Sequence, residues 1–183
     1  LEDGIDFYES VESMLVQINN AVVVGATNAY KEIAIVGDYG VAATLTNPRG
    51  DLILRENDYN PERIILDDSL RSTPNVNVGD RFDQPIVGVI DYSYGNFKLQ
   101  PIVKLSGVSS DLEREIARPA ADDEFSIASY NVENLDALDG EDRFSELARH
   151  IVDNLQSPDI VCLVEVQDNN GPFADEEVSA DAT

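Results

Sequence analysis

The amino-acid sequence predicts a mixed fold class: a small all-β barrel or sandwich over residues 1–105, then an incomplete α/β (β-α-β) unit over residues 124–183. The first part contains short runs of Val, Ile and Leu bounded by Gly, Asn, Asp or Pro, which is typical of strands. The second part contains two apolar runs separated by an apolar stripe at helical spacing. Residues 106–123 are polar and charged and include a Pro, so they are predicted to form an interdomain linker.

The first part is expected to contain short strands joined by turns. A Gly95-Asn96 turn between two of them indicates a β-hairpin, and Val78–Asp80 indicates a turn before it. One helical turn is expected at Asp6–Glu12. Because no strong helix accompanies these strands, a small barrel or sandwich is favoured. The expected strands are Met14–Ile18, Ala21–Val24, Glu32–Val36, Asp51–Leu54, Arg63–Leu66, Ile86–Tyr94 and Phe97–Val103.

The second part is predicted to form a strand, a helix and a parallel strand. Phe125–Asn131 is the first strand, and Asp159–Val164 is expected to be a fully buried strand. Such a connection is a right-handed crossover. A short helix is also expected within the linker, at Asp111–Ala117. The apolar stripe of the main helix consists of Phe144, Leu147, Ala148, Ile151, Val152 and Leu155.

The charge of the chain is strongly negative, with 36 acidic residues against 12 basic ones and a formal net charge of −24. This composition favours a solvated acidic surface suited to salty water, and cation binding is the functional alternative. An acidic surface repels nucleic acid, so a nucleic-acid role needs metal ions, high salt or a locally basic groove. Cys162 is the single cysteine, which excludes an intrachain disulfide, and it is expected to be a buried thiol. No apolar run is long enough to span a bilayer.

Two polar residues end the two strands of the β-α-β unit. Asn131 ends the first strand and Glu165 follows the second. Parallel neighbours would bring both side chains to the carboxyl edge of the sheet, where open α/β sheets bind ligands. Carboxylate and amide oxygens suit Mg²⁺, Mn²⁺ or Ca²⁺. The competing interpretation is that both are ordinary solvated loop residues.

Three segments of the second part carry a resemblance to a known family. Ser129–Leu135 (SYNVENL), the Arg143-Phe144 pair and Ser157–Asp168 (SPDIVCLVEVQD) together resemble the start of an endonuclease/exonuclease/phosphatase domain. In particular they resemble the large extracellular nucleases of bacteria, in which a small OB-like β module precedes the catalytic domain. Phe7–Val16 and the segment around Gly79 resemble that upstream module.

The resemblance implies an OB-like β-barrel followed by the N-terminal part of a DNase I-like α/β sandwich. It implies a secreted protein that hydrolyses DNA or RNA phosphodiesters with Mg²⁺ (or Mn²⁺ or Ca²⁺), with nucleic acid as its substrate, no membrane and no known protein partner. Asn131 matches the family residue that orients metal and phosphate, and Glu165 matches the metal-binding Glu. These are the expected catalytic and metal-site residues.

The family's remaining machinery does not match this sequence. The His–Asp pair, the Asp-x-Asn segment and the late His all lie downstream of the matched segments, so the chain is expected to be an inactive fragment. The single histidine, His150, falls on the polar face of the helix and is expected to be a surface residue. One β-α-β unit would also leave its sheet faces and edges uncovered.

Several alternatives stay open. Another phosphoesterase of the same superfamily (a phosphatase, a cyclic-nucleotide phosphodiesterase or a phospholipid-cleaving enzyme) would share the same motifs. A non-catalytic binding or adhesion module would make Asn131 and Glu165 incidental. Tyr92 and Tyr94, which alternate onto one face of the hairpin, are expected in the core, with a base-stacking platform as the alternative.

Overall fold

The structure is a computed structural model that describes residues 2–169 and 171. It divides into two compact units, residues 1–112 and 113–183. The division falls inside the segment that the sequence analysis assigned to a linker.

The first unit is a helix and a curled seven-stranded sheet in the order β1-β6-β7-β4-β3-β2-β5. All neighbours are antiparallel except β4 and β7. Ile18 ends β1 and Ala21 begins β2, yet these strands lie far apart in the sheet order, so the sheet must curl back on itself into a half-barrel. The elements are α1 Glu2–Ser10, β1 Leu15–Ile18, β2 Ala21–Gly25, β3 Ile33–Val36, β4 Ile64–Leu66, β5 Arg81–Phe82, β6 Ile86–Ser93 and β7 Asn96–Pro101.

The core of this unit lies inside the curl. Alternate residues of each strand point inward, because successive side chains of a strand face opposite sides of the sheet. The inward-facing apolar residues of the strands therefore form the core. Tyr8 and Val11 pack against this core from α1 and the turn that follows it. The largest buried apolar side chains of the unit are Phe82, Ile33, Ile35, Leu66, Ile86, Leu99, Val23 and Val36.

The β6–β7 hairpin was predicted from its turn residues and is confirmed, with a shift of one position. Ser93 pairs with Asn96, so the loop is Tyr94-Gly95 rather than Gly95-Asn96. Both loop residues have positive φ, 49° at Tyr94 and 77° at Gly95. This is the backbone of a two-residue hairpin turn whose twist matches that of the flanking strands. Glycine suits position 95 because it adopts positive φ without steric cost.

Two predicted elements of the first unit and the linker are wrong. Asp51–Leu54 is not a strand, since Leu52 makes only one bridge, with Thr46. The Asn47 side-chain oxygen accepts the backbone N–H groups of Arg49 and Asp51, and such local bonds compete with strand pairing.

The predicted helix at Asp111–Ala117 is also absent from the structure. Backbone groups of this segment form hydrogen bonds with Asn154 instead of the internal hydrogen bonds of a helix. The Asn154 amide donates to the Glu115 carbonyl, and the Ala117 N–H donates to the Asn154 carbonyl. A charged segment with few apolar side chains has too little to bury for a short helix to persist.

The second unit contains β8 Ile127–Leu135, α2 Glu141–Arg149 and β9 Ile160–Val166. A π-helical turn, His150–Asn154, extends α2. β8 and β9 pair in parallel, with Ile127 opposite Ile160. Among the described residues, no helix is long and apolar enough to cross a bilayer.

The expected full burial of the β9 strand is wrong. Leu163 and Val164 are each 45% exposed, and the expected buried thiol of Cys162 is exposed as well. The physical reason is that the sheet has only two strands, and no second layer covers β9 within the described part of the chain. Parallel strands of this apolar composition normally have both faces of their sheet covered.

Candidate metal and phosphate site

The parallel pairing of β8 and β9 brings Asn131 and Glu165 together near the carboxyl edge of the sheet. The expectation that they end their strands is wrong, because β8 continues to Leu135 and β9 continues to Val166. Asn131 lies opposite Val164, so Glu165 is one residue further along the neighbouring strand. The Asn131 Nδ2 amide donates a hydrogen bond of 2.6 Å to Glu165 Oε1. Both side chains are exposed, so a ligand could reach them from solvent.

A β-bulge lies directly beside this pair. The register between β8 and β9 shifts between Asn131 and Leu135, which pairs with Val166. Within the bulge, φ is 52° at Glu133 and 58° at Asn134, and across from it φ is 66° at Glu165. Asn tolerates left-handed backbone, but at Glu133 and Glu165 it costs about 1–3 kcal/mol each and persists only where surrounding bonds enforce it. Bulges beside functional sites commonly redirect a side chain.

Arg143 at the start of α2 holds the bulge in place. Its Nη2 donates to the carbonyls of Val132 at 2.8 Å and Glu133 at 3.0 Å. Its Nε lies 3.5 Å from Asp139 Oδ2, close enough for an ion pair, although the geometry gives Nε no hydrogen bond. On the other side, Gln167 Nε2 donates to Asn134 Oδ1 at 2.6 Å.

These bonds determine what each member of the pair can do. The Asn131 Oδ1 accepts the Glu133 N–H at 2.8 Å, which turns the amide nitrogen toward Glu165. Asn131 therefore orients Glu165, and Glu165 is the side chain best placed to bind a metal directly. Its second oxygen, Oε2, accepts no hydrogen bond from the residues that the structure describes.

The donor set is small for a metal site. No three His, Cys, Asp or Glu side chains converge on one point anywhere in residues 2–169 and 171. Mg²⁺ nevertheless uses only one or two carboxylates and completes its octahedron with water and substrate phosphate. A single oriented carboxylate fits that requirement, whereas Ca²⁺ or Zn²⁺ would need more protein ligands.

His150 does not join the pair, and the expectation that it is a simple surface residue is wrong. Its side chain is 25% exposed and bonded on both ring nitrogens. The Tyr130 hydroxyl lies 2.6 Å from Nδ1, and Arg114 contacts Nε2. Strand alternation directs Tyr130 to the opposite face from Asn131, so His150 ties helix to sheet on the far side. The alternation of side chains along β8 is the sequence signal that could have predicted Tyr130 as the partner of His150.

A second fixing contact lies at the amino end of the parallel pair, and sequence reasoning missed it. Asp159 Oδ2 accepts both the backbone N–H and the hydroxyl of Ser126, each at 2.8 Å. The Ser126 backbone N–H, followed by its hydroxyl, lowers the pKa of Asp159. This contact fixes the register that places Asn131 beside Glu165.

The two hairpin tyrosines are not in the core. Tyr94 is 95% exposed, because it lies in the hairpin loop. Tyr92 is 52% exposed and packs on Phe97 with ring centroids 4.9 Å apart.

Comparison with known proteins identifies the family of the first unit. Residues 1–110 match the model of a domain of unknown function, DUF8508. The match covers more than half of the chain, so the chain belongs to this family. No curated protein and no solved structure matches the chain significantly.

Proposed function

We propose that this chain is part of a secreted, metal-dependent nuclease, in which Asn131 and Glu165 form half of a metal and phosphate site. The observation that carries the proposal is the 2.6 Å bond between the two side chains at the carboxyl edge of a parallel strand pair. That edge is where ligands bind in sheets of this kind. The SYNVENL and SPDIVCLVEVQD segments, which resemble endonuclease/exonuclease/phosphatase domains, contain these two residues.

The local architecture supports a functional role over an incidental one. An exposed Asn and Glu do not require a bulge, three left-handed residues and an arginine clamp in order to be solvated. Such strain is most economically explained by a need to hold one carboxylate in one orientation. Mg²⁺ bound at Glu165 would polarise a phosphodiester and stabilise charge on the leaving oxygen. It would also offset the repulsion between phosphate and a chain of formal net charge −24.

We further propose that the second unit belongs to a larger α/β sandwich. β9 is apolar at nearly every position, yet Ile160, Leu163 and Val166 are between 45% and 56% exposed. Parallel strands of this composition occur almost only where layers cover both faces. Further strands and helices of the same protein are the natural source of those layers, and they would also supply the missing catalytic groups.

We also propose that the first unit is an OB-like barrel. If β1 and β2 are counted as one bent strand, a ring of five strands results, because β1 pairs with β6 and β2 pairs with β3. The other members of the ring are β4 and β7. Five strands in a partly open Greek-key barrel define the OB-fold. This arrangement supports the predicted order of an OB-like module before a catalytic domain.

The direct test uses the longest natural reading frame that contains this chain. Plasmid DNA is incubated with the protein and Mg²⁺, with and without EDTA, and with the Glu165→Gln variant. We expect cleavage that needs metal and falls at least about 100-fold in the variant, as when a principal charge-stabilising group is removed. Glu133→Gln is the matched control, because it removes one charge from the same edge but leaves the Asn131–Glu165 bond intact.

Two outcomes would refute parts of the proposal separately. If the folded protein leaves DNA and RNA intact but cleaves another phosphoester with the same dependence on Glu165, the substrate is wrong and the site is right. If Glu165→Gln behaves like Glu133→Gln in every assay, the pair is incidental and a binding module is favoured. The sandwich is tested by thiol labelling of Cys162, which is exposed in this chain and should be shielded in the longer protein.

A further inference from the structure

The first residues of the second unit, 113–117, lie against the π-helical turn that extends α2 and form neither helix nor strand. All of them are exposed, so polar contacts rather than burial hold them in place. The Asn154 amide donates to the Glu115 carbonyl at 3.0 Å, and the Ala117 N–H donates to the Asn154 carbonyl at 2.7 Å. A further contact joins Arg114 to His150. We call residues 113–117 the docked segment.

The contact between Arg114 and His150 determines where the imidazole carries its proton. A guanidinium group can only donate hydrogen bonds, so the Nε2 atom that faces it must present a lone pair. The ring is then neutral and carries its proton on Nδ1, which lies 2.6 Å from the Tyr130 hydroxyl oxygen and donates to it. The Arg114 contact is therefore specific to the neutral form of His150.

Protonation of His150 reverses this contact. A second N–H, on Nε2, would point at the Arg114 guanidinium, so two donors and two positive charges would face each other. Glu146 Oε1 lies 3.8 Å from Nε2, and a carboxylate four residues before a cation on a helix stabilises that cation. Arg114 Nη2 lies at the same distance from Glu146 Oε1, so an imidazolium competes with Arg114 for this oxygen. The ionisable groups that face the ring are Arg114 and Glu115 on the docked segment, Tyr130 on β8 and Glu146 on α2.

We propose that His150 is a pH-sensitive latch, which holds the docked segment on the end of α2 when it is neutral and releases the segment when it is protonated. Histidine is the side chain whose charge ordinarily changes roughly between pH 5 and 8, and His150 is the single histidine of the chain. Because the docked segment leads from the first unit into the second, its release would lengthen the connection between them. The latch does not depend on the proposed nuclease activity, since neither Asn131 nor Glu165 takes part in it.

The test is nuclear magnetic resonance of the full chain, in which one histidine can be followed without ambiguity. At neutral pH the ring nitrogen shifts should place the proton on Nδ1, whereas an imidazole free in water favours Nε2. The Ala117 amide should be protected from hydrogen exchange at about pH 7.5, outside the range in which histidine gains its charge. After correction for the intrinsic pH dependence of exchange, this protection should fall at least about 10-fold by about pH 5, the loss expected when one charge-assisted hydrogen bond is removed.

Three variants assign the change to the latch. His150→Gln has no charge to gain and Arg114→Gln has no charge to repel, so each should make the Ala117 protection independent of pH. Arg118→Gln is the matched control, because Arg118 follows the docked segment but pairs with Glu124 at 2.7 Å. This control should keep the full pH response.

The proposal is overturned if Ala117 is unprotected at neutral pH, or if its protection is the same at both pH values. It is also overturned if the ring carries its proton on Nε2 at neutral pH, or if His150→Gln retains the pH response.

Discussion

Replacing Lys98 with Met should destabilise the first unit strongly, because Lys98 is the buried cation of a three-membered ion cluster. Its side chain is 3% exposed, and Nζ lies 2.5 Å from Glu32 Oε1 and 3.1 Å from Asp67 Oδ2. Gln100 Nε2 also donates to Asp67 at 3.2 Å. We call Lys98, Glu32 and Asp67 the ion triad. It joins β7 to the segment before β3 and to the residue after β4.

The size of the expected loss in the free energy of unfolding depends on how much hydration the Glu32 and Asp67 carboxylates retain. Removing one member of a buried ion pair costs about 3–5 kcal/mol, since the other member is left charged and desolvated. Asp67 is 12% exposed but Glu32 is 22% exposed, so Glu32 can recover some hydration. We therefore expect the low end, about 3 kcal/mol in the free energy of unfolding, and a melting temperature lowered by about 10–20 °C.

The assay is thermal and urea unfolding of the full chain, with hydrogen exchange of the β7 amides as the local probe. The matched control is the triple variant Lys98→Met with Glu32→Gln and Asp67→Asn. It removes every charge of the ion triad and should recover most of the lost stability, because neutral replacements of a buried network are often tolerated. The reasoning is refuted if the single variant lies within about 1 kcal/mol of the unaltered chain, or if the triple variant is the less stable of the two.

Two further predictions concern the same unit. The hydrogen bond from Lys98 lowers the pKa of Glu32, and bonds from Lys98 and Gln100 lower that of Asp67 although its burial acts in the opposite direction. The ion triad should therefore contribute to the free energy of unfolding above pH about 4, the carboxyl pKa of the unfolded chain, and this contribution should be lost as pH falls through the lowered pKa values of the folded chain. The difference in the free energy of unfolding between Lys98→Met and the unaltered chain, measured by urea titration, should therefore be smaller at pH 3 than at neutral pH. An equal difference at both pH values would contradict this reasoning. Gly88→Ala should cost about 1–3 kcal/mol, because the added Cβ would lie 2.5 Å from the Gln100 carbonyl oxygen in the paired strand. Gly95→Asn is its control, since nothing lies within 4 Å there and Asn tolerates positive φ; equal melting temperatures for the two variants would refute the steric argument.

Much of the architecture could be predicted because it is determined by local patterns. Short runs of Val, Ile and Leu bounded by turn residues located most strands of the curled sheet, and a glycine turn located the β6–β7 hairpin to within one residue. Helical spacing located α2. The expected strand ends were wrong, because β8 continues past Asn131 to Leu135 and β9 continues past Glu165 to Val166. Each of these signals spans only a few residues and depends on steric and hydrophobic preferences that act along the chain.

The incorrect predictions concern features that depend on contacts between residues far apart in the chain. Asp51–Leu54 has the composition of a strand but no neighbour to pair with beyond Thr46, and its backbone bonds to Asn47 instead. Cys162 lies in an apolar run, yet burial needs a covering layer, which composition alone cannot supply. His150 was assigned to a polar face, whereas Tyr130, twenty residues earlier, draws it into the packing of helix on sheet.

The candidate site divides in the same way. The sequence by itself determined that Asn131 and Glu165 lie on the two strands of a β-α-β pattern, because the spacing of apolar residues is a local property of the chain. Only the tertiary structure decided that the two side chains bond, that Arg143 clamps a bulge beside them, and that Asn131 presents its amide nitrogen to Glu165. It also decided that Lys98 is buried and bonded to both Glu32 and Asp67. Hydrogen-bond geometry depends on distances of a few tenths of an ångström between segments far apart in the chain, and no local pattern encodes those distances.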